Sequence, residues 1–438
     1  CLVVLAMPGY NEYRNQVLRE YGLWFFGLLA LWLAMRWEES GRWREALQEW
    51  SKDDQAARSW RFAAPLLSSM PDDVFQELTR AITWWMEANS KSCDIHESIL
   101  VDLCRRVLDL PLETDTGILR NGKPLDEAVS EAINHPVGHV AQTLLNLWFK
   151  GRPNDNDRLA SPFEPLFTQL CDTRVGRFRH GRVMLASHVL PLFRVDRAWT
   201  ESHLLPLFDW NSDAIEAKAA WEGFLWAPRL YPPLLVAIKP QFLETARHFE
   251  ELKEHQNQYA AFLTYAALDP VETYTPQDFE TAISNLPMEG LQQVARALSQ
   301  ALEGAGEQRE GYWKNRVLPF WQNIWPKSRD LASRDIADSM VRLCLATGAE
   351  FPFALSTVQD WLQPIEHPYY LVGKLEESGL CGRFPAESLQ LLDVIISDQP
   401  WAPEELGKCL SAISGADASI LQDSRFRRLD AYYRQRRS

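Results

Sequence analysis

Apolar residues recur at three- and four-residue steps along most of the chain, and this spacing limits the possible folds more than any other feature. Within residues 42–60, Trp43 and Leu47 begin a stripe along one helical face. Residues 72–86 and 97–108 repeat the pattern. Such spacing is typical of amphipathic helices that bury one side.

Strand signals are almost absent. The best candidate is residues 118–120, followed by the turn pair Asn121-Gly122, and it is too short to build a sheet. Proline precedes bulky apolar residues in or beside several predicted helices, without a fixed repeat length; the positions are Pro165, Pro191, Pro206 and Pro319. The sequence therefore predicts an all-α fold, arranged as an irregular α-solenoid of HEAT-like stacked helical hairpins.

Helix start signals are frequent. Proline and then an acidic residue follow the capping side chains of Ser161 and Thr275. Glutamine follows Ser356 three residues later, as in a capping box. We expect a helix to begin at each of these positions.

Polar stretches rich in turn residues divide the chain. They predict N-terminal Trp-rich helical layers over residues 1–110, a central helical region over residues 125–302, and C-terminal helical layers with an Arg-rich end over residues 312–438. None of the breaks resembles a long flexible linker. We expect Gly304-Ala305-Gly306, near one break, to be a turn, because no strand precedes it as a dinucleotide fingerprint would require.

Residues 22–35 (GLWFFGLLALWLAM) form a stretch without a charge. A membrane-spanning helix needs about 20 apolar residues, so this stretch predicts a buried helix and no membrane span. The chain opens without Met and without a charged region before its first apolar residues, so we expect a piece of a longer protein and no signal peptide.

Charge and cysteine usage restrict the class of protein. The formal net charge of −14 makes nucleic acid an unlikely partner, because phosphate binding depends on positive charge. The seven cysteines are odd in number and include no Cys-x-x-Cys pair. They predict reduced, buried thiols and a cytoplasmic location.

No catalytic signature is present, and we predict no cofactor and no metal. The best metal candidate is the pair His135 and His139, which are four residues apart and could share a helix face. Pro136 argues against it, because a proline in the first turn places His135 before the helix. We expect a capping histidine and an ordinary helical histidine.

Two arginine clusters stand out in this acidic chain. The first is the candidate interaction site and consists of Arg174, Arg177, Arg179, Arg182, Arg194 and Arg197. The second lies in residues 425–438. Arginine pairs well with carboxylates and phosphates, so the clusters either pair with acidic groups of the same protein or contact a partner.

Residues 199–235 are the densest aromatic segment in a chain with 18 Trp. Trp221, Phe224 and Leu225 recur at three- and four-residue steps, so we predict that they share the buried face of a helix ending near Trp226. The alternative is a partner-docking surface, because exposed Trp, Tyr and Arg typically anchor interfaces.

The same segment carries a family resemblance. Residues 203–210 (HLLPLFDW) and 220–229 (AWEGFLWAPR) resemble an uncharacterised helical region of bacterial anti-phage defence proteins, and residues 138–145 and 179–199 fit the same pattern. The resemblance covers roughly residues 131–243. In those proteins the region lies C-terminal to a sirtuin-like NAD-consuming domain.

The resemblance implies a non-catalytic helical sensor or scaffold that restrains an upstream NAD-degrading effector until phage components arrive. Its implied partners are the upstream domain, a second copy of the chain, or a phage protein. Two other hypotheses stay open: a protein-binding α-solenoid unrelated to immunity, and an enzyme with an unrecognised site. For an enzyme, His135, His139 and the first arginine cluster are the available residues.

Overall fold

The computed structural model describes residues 40–52, 56–93, 98–115, 119–120, 123–124, 126–397 and 400–436. Helices account for most of these residues, and the all-α prediction is confirmed. The β-structure in the described part is one antiparallel pair, Leu119–Arg120 with Lys123–Pro124, in which Leu119 lies opposite Pro124. The predicted strand candidate therefore pairs, but over two residues only.

Contacts divide the chain into two compact units. The first runs to Leu207 and includes Glu222–Phe224. Its α-helices are α1 (Ser40–Trp50), α2 (Ala56–Ser69), α3 (Asp72–Ser90), α4 (Ser98–Asp109), α5 (Ala128–Ala132), α6 (Pro136–Lys150), α7 (Phe163–Leu170), α8 (Arg179–Ser187), α9 (Val189–Val195) and α10 (Arg197–Trp199).

The second unit comprises Phe208–Trp221 and the chain from Leu225 onward. Helix α11 (Ala214–Leu225) belongs to the second unit except for Glu222–Phe224, which belong to the first. The other α-helices are α12 (Pro232–Ala237), α13 (Lys239–Glu244), α14 (Gln256–Leu268), α15 (Pro276–Ser284), α16 (Met288–Gly304), α17 (Arg309–Tyr312), α18 (Leu318–Asn323), α19 (Arg334–Ala346), α20 (Phe351–Val358), α21 (Tyr369–Glu377), α22 (Leu380–Arg383), α23 (Pro385–Ile395), α24 (Leu406–Ala416) and α25 (Ser424–Arg436).

Short segments of other helical types link these elements. The 3₁₀ turns are Gly176–Phe178, Leu205–Phe208, Thr245–His255, Gly306–Gln308, Arg329–Leu331, Gly348–Glu350, Gln359–Trp361 and Ala418–Gln422. Single π-turns occupy Thr200–Leu204 and Trp313–Val317. The segment Thr245–His255 is interrupted by non-helical backbone at His248 and Lys253.

The core of the first unit lies between helices distant in sequence. Helix α3 packs against α1 and α6, and α6 also packs against α8. In α3 the buried face includes Phe75, Leu78, Ile82 and Trp85, which recur at three- and four-residue steps. Their burial removes apolar surface from water and supplies the main favourable free energy of packing.

In the second unit, α16 packs between α14 and α19, and α21 packs against α19 and α24. Three tryptophans form a buried cluster here. The rings of Trp321 and Trp325 stack at 5.2 Å, and Trp361 meets both edge-on at 5.7 and 5.4 Å. These are favourable aromatic geometries. Burial of most of the described tryptophans shows that much of the unusual Trp content lies in the core.

Two of the three predicted helix starts are correct in position. Thr275 caps α15 through a capping box with Asp278, and α7 begins two residues after Ser161. The prediction at Ser356 is wrong. Ser356 lies inside α20, where its hydroxyl donates to the Phe353 carbonyl, so its side chain bonds back within the helix instead of capping a new one.

Other sequence predictions differ in extent. The amphipathic stretch at residues 42–60 is carried by two helices, α1 and α2. The predicted buried helix at residues 22–35 lies outside the described residues. Within the described part of the chain, no helix has the length and apolarity needed to cross a membrane. The division between the two compact units falls after Leu207, inside the predicted central region 125–302.

The described cysteines have free thiols. Cys104, Cys344, Cys381 and Cys409 are buried, while Cys93 and Cys171 are half-buried. Burial raises the pKa of Cys171 to about 12. A thiol with so high a pKa is protonated at neutral pH, which makes it a poor nucleophile.

Candidate functional site

Three arginines of the first cluster form ion pairs with nearby carboxylates. The pairs are Arg174 with Asp172 at 2.8 Å, Arg194 with Asp155 at 3.0 Å, and Arg197 with Glu201 at 2.7 Å. Hydrogen bonds from Arg174 lower the pKa of Asp172 to about 2. Carboxylates of the same unit therefore offset these charges. A role of these arginines in contacting a partner stays a prediction.

The remaining arginines of the cluster face inward or begin a helix. Arg182 is buried, and its guanidinium donates to the carbonyls of Leu170 and Asp172 at 3.3 and 2.9 Å. This places a cation at the C-terminal end of α7, where the helix dipole favours positive charge. Arg177 donates to the Leu108 carbonyl at 3.2 Å, and Arg179 is the first residue of α8.

The described part of the second arginine cluster lies on α25, and three of its arginines pair with carboxylates. Its ion pairs are Arg425 with Asp423 at 2.7 Å, Arg428 with Asp393 at 2.9 Å, and Arg434 with Asp430 at 2.9 Å. Pairing of these three charges reduces the positive field that the cluster offers to a phosphate backbone.

The two histidines of the metal candidate have different partners. His135 is the N-cap of α6, and its Nδ1 accepts from the Val137 amide at 3.1 Å. His139 lies inside α6 and bonds through Nδ1 to Glu87 Oε2 at 2.6 Å. The capping role expected for His135 is confirmed. In the described residues, no group of three or more His, Cys, Asp or Glu side chains could hold a metal ion.

The Glu87–His139 bond belongs to a polar seam between α3 and α6. The Asn146 amide donates to the Ser90 hydroxyl at 2.8 Å in the same seam. His139 Nε2 is buried and has no hydrogen-bond partner among the described residues. The ring of Trp84 lies 5.7 Å from the His139 ring, and Trp84 is 54% exposed.

The aromatic segment of residues 199–235 supplies core residues to both units. Trp221 is fully buried, donates to the Phe208 carbonyl at 3.1 Å, and meets the rings of Phe208 and Tyr259 edge-on. Phe224 and Leu225 are also buried. The predicted buried face and the predicted helix end beside Trp226 are confirmed, since α11 ends at Leu225.

Two further residues of the sequence motif AWEGFLW have structural roles within the first unit. Glu222 is buried, and its carboxylate accepts from the Ala128 amide at 2.7 Å at the start of α5. A Cβ at Gly223 would lie 2.5 Å from the Val183 carbonyl oxygen, so only glycine allows this close approach. The motif is therefore used for packing.

Residues 226–231 form the candidate docking site, which we call the 226–231 segment. It is non-helical and connects α11 to α12 in the second unit. Trp226 is 58% exposed and Leu230 is 44% exposed, with Arg229 exposed between them. The rings of Trp226 and His255 meet edge-on, with their centroids 6.5 Å apart.

The sequence favoured the core for the aromatic segment, with a partner-docking surface as the alternative, and it did not single out the exposed positions Trp226, Arg229 and Leu230. A local signal for them exists. Residues on an α-helix are about 100° apart, so Trp226 lies off the face defined by Trp221 and Leu225 even before the helix ends. Pro228 then prevents the helix from continuing.

Comparisons with known proteins identify no family. No protein-family model matches the chain. The uncharacterized protein y4cA of Sinorhizobium fredii is 24% identical over 138 residues, which are 29% of this chain and 11% of that protein. The matched part therefore spans about a tenth of that relative.

Among solved structures, a crystal structure of an engineered protein from the Northeast Structural Genomics Consortium aligns over 91% of this chain and 96% of that chain. The sequence identity is 12% and the TM-score is 0.37. A TM-score of this size is too low to indicate a shared fold.

Proposed function

We propose that this chain is a non-catalytic helical docking module, and that it serves as a sensor or scaffold of a bacterial anti-phage defence protein. In this role it regulates or assembles an upstream sirtuin-like domain that degrades NAD. The observation that carries the docking role is the 226–231 segment, in which Trp226, Arg229 and Leu230 are exposed together. The link to defence depends on the sequence resemblance of residues 131–243.

The packing of the helices supports a scaffold. In the second unit, helices that are not consecutive in sequence pack in the order α14, α16, α19, α21 and α24. Such an order is compatible with stacked helical hairpins, the arrangement of an irregular α-solenoid. Solenoids commonly present extended surfaces for protein partners.

The use of the chemically active side chains also supports a structural role. His135 caps a helix, His139 bonds to Glu87, and Arg182 holds the end of α7. Each is committed to a contact that stabilises the fold. Structural contacts of this kind are sufficient for an interaction module, which requires no catalytic side chains.

The composition of the 226–231 segment supports docking. Trp and Arg are enriched among the residues that dominate binding free energy at interfaces. Pro228 within the segment and Pro232 directly after it fix the backbone φ angle, so less conformational entropy is lost when a partner binds.

The proposal is tested with the complete reading frame that contains this chain, expressed in a bacterial host and challenged with phage. Plaque formation and cellular NAD are measured for the wild type and for Trp226→Ala/Arg229→Ala. The matched control is Trp401→Ala, because Trp401 is 59% exposed and lies elsewhere in the second unit. Immunoblotting establishes that all three proteins accumulate equally.

We expect the wild type and the control to reduce plaques and deplete NAD on infection, and the double variant to lose both effects or to deplete NAD without phage. A wild-type protein that changes neither quantity would overturn the defence role. In that event the alternative function is a general protein-binding α-solenoid. Nucleic acid is a weaker alternative, because carboxylates of the same chain pair with three arginines of each cluster.

A further inference from the structure

We propose that the 226–231 segment recognises an acidic peptide segment of a partner protein. Arg229 would pair with a carboxylate of that peptide, while Trp226 and Leu230 would contact apolar side chains beside the carboxylate. This inference depends on the docking role proposed above and specifies the chemistry of the partner.

The local charge supports an acidic partner. No Asp or Glu occurs between Glu222 and Glu244, although the whole chain has a net charge of −14. The bases in that interval are Arg229 and Lys239. Lys239 pairs with Asp278 at 2.7 Å, whereas Arg229 makes no ion pair or hydrogen bond with any described residue.

An exposed arginine of this kind differs from those of the two clusters. The guanidinium groups of Arg174, Arg194 and Arg428 each lie within 3.0 Å of a carboxylate of the same chain. Arg229 keeps its donors available for a carboxylate from outside, with which arginine forms strong, charge-assisted hydrogen bonds.

The surroundings set the size of the partner. His255 lies against Trp226, and the two exposed residues before it, Lys253 and Glu254, carry opposite charges, so the positive charge of the 226–231 segment itself is that of Arg229. A single cation suits one carboxylate in a short peptide. It does not suit a polyanion, which is bound by many cations at once.

The apolar residues supply the remaining recognition. Trp226 and Leu230 stand on either side of Arg229 in the chain and are exposed by 58% and 44%. A peptide with an acidic residue next to aliphatic or aromatic residues would bury this surface and pair the charge in the same contact. Burial of apolar area around an ion pair also limits its screening by salt.

The test is selection from a random twelve-residue peptide library displayed on phage, with the purified 438-residue chain as the target. A parallel selection uses Trp226→Ala/Arg229→Ala, and circular dichroism and thermal unfolding establish that the variant is folded. We expect peptides enriched on the wild type alone, with Asp or Glu beside Leu, Ile, Phe or Trp.

One enriched peptide is then synthesised with its acidic residue intact and with that residue changed to Gln or Asn. We expect the amide form to bind at least about tenfold more weakly to the wild type, and the two forms to bind alike to Arg229→Gln. Binding of the acidic form should weaken as salt rises from 50 to 300 mM.

Neutral or basic consensus sequences, equal enrichment on the variant, or no enrichment would each overturn the acidic-peptide proposal. A tight self-association that is lost in the variant would also overturn it, in favour of a second copy of the chain. The phage-challenge experiment is independent of these outcomes, because it measures the cellular effect of the same surface without regard to the partner's charge.

Discussion

The imidazole rings of His135 and His180 stack with their centroids 4.0 Å apart. Each ring also bonds through Nε2 to a backbone carbonyl, His135 to Glu113 at 2.9 Å and His180 to Thr114 at 2.7 Å. Because consecutive carbonyls accept these bonds, the histidine pair fixes the chain at residues 113–114 against α6 and α8.

This pair should make the stability of the first unit depend on pH. Burial lowers the pKa of His135 to about 3 and also lowers the pKa of His180. The nearby cations Arg80 and Arg182 act in the same direction, while Asp115 opposes them. The folded state therefore favours the neutral rings.

The stabilisation is fully present above the unfolded pKa of about 6.5 and is lost as the pH falls towards 3, by about 1.4 kcal/mol per pH unit for each histidine that only the unfolded state protonates. His135→Asn retains a capping side chain but does not titrate. Urea unfolding between pH 7 and pH 4 should show a shallower loss for this variant. Parallel wild-type and variant curves would contradict the prediction.

The Glu87–His139 bond gives a second prediction. Glu87→Ala should lower the free energy of unfolding by about 1–3 kcal/mol, because it leaves the buried His139 ring with no hydrogen-bond partner for either nitrogen. Glu77→Ala is the control, since Glu77 is exposed on the same helix. It should change stability by less than about 0.5 kcal/mol.

A double variant tests whether the loss of the Glu87–His139 hydrogen bond causes the destabilisation. Glu87→Ala/His139→Leu removes both polar partners, so it should lose less than the sum of the two single variants. Urea unfolding of the wild type, Glu87→Ala, His139→Leu and the double variant measures this coupling. Simple additivity would mean that the bond contributes nothing to the folded state.

Trp221 and Trp226 should respond in opposite ways to truncation. Trp221→Ala should cost about 3–5 kcal/mol, because a fully buried ring and its bond to the Phe208 carbonyl are lost. Trp226→Ala should leave the thermal midpoint almost unchanged, since Trp226 is 58% exposed. An unchanged midpoint for Trp221→Ala would show that the aromatic segment is not core.

Two glycines provide a final contrast. A Cβ at Gly138 would lie 1.8 Å from the Ala132 carbonyl oxygen, so Gly138→Ala must displace backbone and should destabilise by at least about 1–3 kcal/mol. Gly304, at the end of α16, has no atom within 4 Å of an added Cβ. Gly304→Ala should be neutral or stabilise by up to about 1 kcal/mol. Thermal unfolding of both variants tests the pair, and equal effects would contradict it.

Local features of the fold could be predicted because they depend on neighbours in sequence. The helical class follows from three- and four-residue spacing, and the caps at His135 and Thr275 follow from a polar side chain before proline. Ser356 shows the limit of such signals. Its signal was a serine followed three residues later by glutamine, and that spacing occurs inside and just after α20, where the hydroxyl bonds to its own helix.

The candidate site could be predicted only in part. The sequence placed Trp221 and Trp226 in one aromatic segment and favoured the core for that segment, but it predicted burial by name for Trp221 and used Trp226 only to mark the helix end. Their different exposure depends on which surfaces Phe208 and Tyr259 cover, and Tyr259 lies outside the aromatic segment, 38 positions after Trp221. The arginine clusters were visible, but their partners were not: Asp155 lies 39 positions from Arg194.

By itself, then, the sequence determined an all-α chain, the positions of several helix ends, and the buried stripe of α11, because each depends on periodicity and capping within a few residues. Tertiary structure decided that His135 pairs with His180 instead of His139, that three arginines of each cluster pair with carboxylates, and that Trp226 is exposed. The physical reason is that burial and hydrogen-bond partners are set by packing between helices far apart in sequence, which local spacing does not encode.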